Sequence, residues 1–231
     1  MPTDMIAPAG VLGELAHLAD GMTLASLPPD IARQAKLCIL DTLGCMLAGS
    51  QTEEAGLVLR CHDTGARVGE VPVPGLPHAF FVDDAARIAG YLGDVLELND
   101  LIGGHASIAV VPAALALTVT YTHNNASIGN VTAGLVLAHA RGASGARLLE
   151  GVTRGIELTW RVYSAVYGDL KPFTESALVP VGIPSAIGAA AVAAHLLGLD
   201  AGRCAEAMAI AAATAGWCPA EVIFGNGGSV K

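Results

Sequence analysis

The sequence predicts an all-α protein, an alanine-rich multi-helix bundle, and three observations predict it. Apolar residues recur at helical spacing in one segment after another, glycine and proline punctuate those segments, and runs that alternate apolar with polar residues are nearly absent. At 231 residues, 53% hydrophobic and 14% charged, the chain can bury a substantial core. We expect one helical domain over residues 1–231.

Taken in order, Val11 to Ala19 carries Val11, Leu12, Leu15, Leu18 and Ala19 at helical spacing. A second helix opens at Ser26-Leu27-Pro28-Pro29-Asp30, with Ser26 or Asp30 near its start and proline where a first turn tolerates it. Its stripe is Ile31, Ala35, Cys38, Ile39, Thr42 and Met46, and Gly49 ends it. Glu53 to Thr64 reads as a third helix, closed by Gly65, whereas Val68 to Gly75, with Pro72 and Pro74, reads as extended chain or a short edge strand. Asp83 to Leu98 is a helix with Asp83 and Asp84 in the first turn, where the helix dipole favours them. Ala106 to Thr120 and Gly145 to Val166 follow as helices, then a long loop from Tyr167 to Pro184. Ser185 to Leu197 and Arg203 to Ala213 are alanine-rich helices joined by residues 198–202, and the chain from Trp217 onward is irregular and glycine-rich.

Charge and cysteine content exclude several classes of protein. A net charge of −9, with no basic run, argues against a nucleic-acid partner. Five cysteines, with no C-x-x-C pair and no zinc-finger spacing, read as free thiols in a reducing cytoplasm, and Cys38 and Cys45 share a helix face that we expect in the core. No basic n-region marks a signal peptide. Residues 101–140 carry no formal charge, but Pro112 and the polar run Thr120 to Asn125 interrupt them and aromatic belts are missing. We expect buried helices packed through small residues there, and no membrane partner.

The stretch from Leu96 to Ser107 concentrates the chemistry. Glu97, Asn99, Asp100, His105 and Ser107 crowd a turn with Gly103 and Gly104 between two apolar helices. Two readings fit. The turn gathers a base, an acid and a helix N-terminus around a small anion, or it is an interhelical loop whose Asn and Asp cap helix ends and whose glycines supply positive φ. Glu97 falls in the last turn of its expected helix, where the dipole disfavours a negative charge, which weighs against a purely structural Glu97. The remaining histidines, His195 included, have no partner legible in sequence. An internal echo complicates the stretch: His105 to Leu117 aligns without gaps on Asn125 to Leu137 with seven identities in thirteen positions.

Several segments together resemble the MmgE/PrpD family. They are Leu27-Pro28, the run QAKLCILDTLGCMLAGS from Gln34 to Ser50, Ala86 to Asp100, His105 to Leu117, Gly142-Ala143-Ser144-Gly145 with Leu148-Leu149, Ile187 to Ala191 through Leu199, and Gly228-Ser229-Val230-Lys231. The resemblance implies a helical domain and cofactor-independent chemistry, without metal, on a small polycarboxylate such as a 2-methylcitrate-like acid. Dehydration is the first reading and epimerisation or decarboxylation the alternative. It places proton transfer on Glu97 or Asp100 and His105, puts Lys231 on a substrate carboxylate, and adds Asn99 and Ser107 as substrate-binding residues. This sequence has His105-Ala106-Ser107 where the family has H-P-S, and the register is open between His105 and Asn125. Family members are about twice as long by this resemblance, with a second, lid-like domain. The expected assembly is therefore a homo-oligomer or a pairing with a lid-bearing partner subunit, and a non-catalytic helical subunit of a split enzyme is the competing class.

Overall fold

A computed structural model of the chain describes residues 10–61, 69–96, 98, 126–167, 178–179, 182–215 and 218–219. Among them are eight helices: α1 (Val11–Gly21), α2 (Pro29–Gly49), α3 (Glu53–Cys61), α4 (Val82–Asp94), α5 (Ala126–Arg141), α6 (Gly145–Tyr167), α7 (Gly182–Leu197) and α8 (Ala201–Thr214). Four two-residue strands complete the described elements. β1 (Val71–Pro72) pairs antiparallel with β2 (Ala79–Phe80), and β3 (Leu178–Val179) pairs with β4 (Cys218–Pro219). The all-α expectation holds. The extended reading of the proline-rich stretch resolves into the β1–β2 hairpin, with Val71 and Val73 buried beneath it. The helix expected over 106–120 lies outside the described residues.

The core divides into two lobes with a shared wall. One lobe gathers Ala16 and Ala19 of α1, Leu158 of α6, Ile187, Ala191 and Ala194 of α7, and Cys204, Ala205 and Met208 of α8. The other gathers Met46, Ala55, Val71, Val73, Ala85, Ile88, Ala89 and Leu92 from α2, α3, the hairpin and α4, with Val136 of α5. Between them Cys38, Val131, Val152 and Ile156 join α2, α5 and α6. The α2 stripe largely behaves as its spacing predicts: Ile31, Ala35, Cys38, Thr42 and Met46 are buried and Ile39 is half-buried, with Cys45 buried beside them as expected. Thr42 is tolerated there because its hydroxyl donates to the Cys38 carbonyl at 2.9 Å, one turn back.

The boundaries differ from the sequence reading where caps decide them. Pro28, with Pro29 at the first helical position, opens α2, while Ser26 closes its own turn by accepting from the Thr23 N–H at 2.9 Å. Helix α4 stops at Asp94, where the Val95 N–H bonds the Tyr91 carbonyl, so the expected run to Leu98 is a turn too long. Helix α7 starts at Gly182 because its first turn absorbs Pro184, whose missing N–H is no loss there. Asp200 starts α8 two residues earlier than expected, its side chain accepting from the Arg203 N–H at 2.9 Å. Gly142 (φ 59°) and Gly198 (φ 72°) end α5 and α7 in the left-handed region, and the Ala143 and Leu199 N–H groups then reach back to the Ala138 and Ala194 carbonyls.

Three helices come into close contact where α5, α6 and α7 meet. Asn130 is fully buried and its Nδ2 donates to Thr159 Oγ1 at 3.0 Å. A Cβ on Gly155 would fall 2.3 Å from Asn130 Oδ1 and 2.4 Å from Val192 Cγ2, and one on Gly188 would fall 2.2 Å from Thr159 Oγ1. Glycine is therefore required by space at both positions. Gly155→Ala is expected to destabilise the fold by about 1–3 kcal/mol through overpacking. Gly90→Ala on α4, whose Cβ would meet nothing within 4 Å among the described residues, should be neutral or stabilise by about 0.4–1 kcal/mol. Urea unfolding of the two variants checks the contrast, and equal midpoints would remove the steric account.

Candidate functional site

Glu97, Asn99, Asp100, His105, Ser107 and Lys231, the residues singled out from sequence, lie outside the described residues, as does Asn125. What is described is how the chain reaches them. Helix α4 is strongly amphipathic, burying Ala85, Ile88, Ala89, Leu92 and Gly93. Its C-terminal end is fixed against the end of α2. A Cβ on Gly49 would lie 2.0 Å from the Leu92 carbonyl oxygen, so this glycine of the LGCMLAGS run lets two backbones touch. Beyond that contact the chain leaves the core, with Leu96 39% and Leu98 64% exposed. Downstream, α5 begins at Ala126, directly after Asn125, and carries the second copy of the internal echo.

A second polar cluster, which the sequence reading did not find, is built on α6. Arg147, Glu150 and Arg154 are three and four residues apart, hence on one helix face. The Arg154 side chain is only 9% exposed. Its Nε donates to the Met22 carbonyl at 2.9 Å and its guanidinium reaches the Asp20 carbonyl at 3.4 Å and the Asp20 carboxylate at 3.8 Å. Helix α1 has no basic residue in its last turn, so Arg154 supplies from α6 the cation that the C-terminal carbonyls favour. Arg147 acts alike on α7, donating to the His195 carbonyl, which also accepts from the Gly198 N–H at 3.1 Å. Glu150 Oε1 accepts from the Leu24 N–H at 3.0 Å, and its Oε2 lies 3.5 Å from His195 Nε2.

His195 thus has a partner that sequence alone did not reveal, because α6 and α7 meet only in three dimensions. The ring side chain is 10% exposed. Burial first, then the Arg154 and Arg147 charges, push its pKa below the usual histidine value, against the opposing pull of Glu150 and a backbone hydrogen bond at Arg147. Burial likewise lowers the Arg154 pKa, offset by Asp20 and Glu150, and raises the Cys204 thiol. A small indentation no wider than a water molecule or so is lined by Asp20, Arg154, His195, Leu199, Ala201 and Cys204. It is too small for a polycarboxylate. Among the described residues no group of His, Cys, Asp and Glu could hold a metal ion, and no helix is long and apolar enough to cross a membrane.

Residues 13–218 match the MmgE/PrpD N-terminal domain, and the match runs through both lobes and the shared wall. The chain belongs to the MmgE/PrpD family. It is also 26% identical over 218 residues to the cis-aconitate decarboxylase-like protein oryM of Aspergillus oryzae, an alignment that covers 93% of this chain and 42% of that protein. The chain therefore spans less than half the length of this relative.

The α6 cluster reads as structural, tying the α1–α2 connection to the body of the fold. Glu150→Ala leaves the Leu24 N–H without its charged acceptor and is expected to cost about 1–2 kcal/mol. Arg87→Ala, which removes an exposed i,i+4 pair with Asp83 at 3.1 Å, should cost less than about 0.5 kcal/mol. Paired denaturation curves decide it; a Glu150 variant as stable as the Arg87 variant would show that the connection is held by other contacts.

Proposed function

We propose that this chain is the helical part of a lyase that acts on a small polycarboxylate without a cofactor, its first step being removal of a proton alpha to a carboxylate. The observation that carries this reading is the family match over residues 13–218, which spans the chemically dense turn between α4 and α5. In this reading Glu97 or Asp100 and His105 move the proton, and Lys231 with a helix N-terminus stabilises the charge that develops on the carboxylate. Asn99 and Ser107 orient the acid. Dehydration of a 2-methylcitrate-like acid is the first assignment. Decarboxylation is the second, favoured by the name of the Aspergillus relative, and epimerisation shares the same opening proton transfer.

The proposed assembly is a homo-oligomer or a complex with a chain that supplies a lid over the turn, working in the cytoplasm. The rest of the reading supports this need for a cover, because a proton alpha to a carboxylate is acidic enough to remove only where water is excluded and charges are preset. A silent helical subunit remains the opposing class, and turnover separates the two.

The test is proton NMR in heavy water on the purified chain, alone and co-expressed with its genomic neighbour, offered a 2-methylcitrate-like acid and cis-aconitate. Water loss, carbon dioxide loss and simple deuterium exchange give distinct spectra and assign the reaction class. His105→Ala should lower turnover by about 10²–10⁴-fold while leaving the helical circular dichroism unchanged. Undiminished turnover would remove His105 from the mechanism, and no turnover in either preparation would favour the silent subunit.

A further inference from the structure

The α6 cluster closes over one end of α1, and the group buried beneath that closure is titratable. Among the described residues His195 Nε2 is buried without a hydrogen-bond partner, since Glu150 Oε2 stands 3.5 Å away. Every element around the ring contributes a charged or titratable group. From α6 come Arg147, Glu150 and Arg154, from α1 Asp20, and from α8 Cys204, the last two lining the same indentation as the ring. Two cations and one carboxylate act on the ring directly, and that carboxylate is already engaged by the Leu24 N–H. A proton on His195 would be a third cation with little water to solvate it.

Release of that strain has an easy route. Helix α1 fully buries only Gly13, Ala16 and Ala19, all small, while its larger apolar residues Leu12 and Leu15 are half-buried against the lobe, so no large side chain of α1 is fully withdrawn from water. Its polar attachment converges on this cluster, through Arg154 to Asp20 and Met22 and through Glu150 to Leu24. Local opening takes place where buried apolar area is least, and here that is α1 with its connection rather than the α6–α7 contact. We propose that α1 and residues 22–26 form an acid-released strap, held shut while His195 is neutral and freed when the ring takes up a proton.

The direction follows from linkage. In the closed form the His195 pKa lies below its ordinary value, and on opening it returns towards about 6.5. The closed form is therefore fully favoured above that value and loses ground as the pH falls through it towards the closed-state pKa. Opening uncovers the side of the lobe that Ala16 and Ala19 occupy, beside Ala205 and Met208.

Hydrogen exchange by mass spectrometry on the full chain tests this, at about pH 7.5 and about pH 5.5, with rates corrected for intrinsic exchange and α4 peptides as the internal control. Peptides covering α1 and residues 22–26 should lose protection by about fivefold at the lower pH while α4 does not, and His195→Gln should abolish the difference. Glu150→Gln keeps an acceptor for the Leu24 N–H but removes the carboxylate that raises the ring's pKa, so the closed-state pKa falls further and the loss at the lower pH should be at least as large as in the wild-type chain. The proposal is overturned if the wild-type chain shows equal protection at both pH values or if His195→Gln keeps the difference. It is also overturned if Glu150→Gln abolishes the difference, since Glu150 would then be the titrating group. Should His195→Gln fail to fold, the Glu150→Gln variant alone decides: a pH difference at least as large as in the wild-type chain supports the proposal, and a smaller one overturns it.

Discussion

The close approach of α5, α6 and α7 around Asn130 is the constraint on which the rest of the described structure depends. Three helices can meet there because Gly155 and Gly188 present no side chain and because the fully buried Asn130 donates its amide to the Thr159 hydroxyl. That contact fixes the rotation of α6 about its own axis. With α6 so turned, Val152 and Ile156 face the shared wall with α2 and α5, Leu158 enters the α1–α7–α8 lobe, and Arg147, Glu150 and Arg154 point towards the helix ends they hold.

Helix α6 therefore does two different jobs with two faces. Its small and apolar face is a matter of shape, where a single methyl group is felt. Its charged face is a matter of electrostatics, supplying cations to the C-terminal carbonyls of α1 and α7 and an acceptor to the connection between α1 and α2. Because Arg154 is substantially withdrawn from water, its hydrogen bonds to carbonyls matter more than the exposed Arg87–Asp83 pair on α4. The same withdrawal depresses the His195 pKa, so one cluster couples helix capping to protonation.

The other lobe is arranged to deliver a piece of chain. Helix α4 is pinned at its end by backbone contact with Gly49 of α2, and the exposed Leu96 and Leu98 follow at once. A helix that stops just before a chemically dense stretch of sequence is a sound support for chemistry, because the precision of a site is set by the elements that carry it. The proposed proton-transfer residues all follow this support in sequence, and membership of the MmgE/PrpD family is what gives the turn a chemical reading.

The sequence by itself determined the helical class, the succession of α1 to α4 and of α6 to α8, most of the buried stripe of α2 with Cys38 and Cys45, and the family, because periodicity, punctuation and a series of short motifs are all local or linear properties. It also singled out the polar stretch from Leu96 to Ser107, whose expected site residues lie outside the described structure. Helix ends were legible only approximately, since Asp200, Pro184 and Pro28 act through side-chain bonds and ring geometry that spacing does not reveal. Only the tertiary structure decided that Gly155 and Gly188 are steric necessities, that Arg154 belongs to the end of α1, and that His195 faces Glu150. Each of these joins residues tens of positions apart, and burial, unlike helical period, belongs to the packed molecule and not to any one segment of its chain.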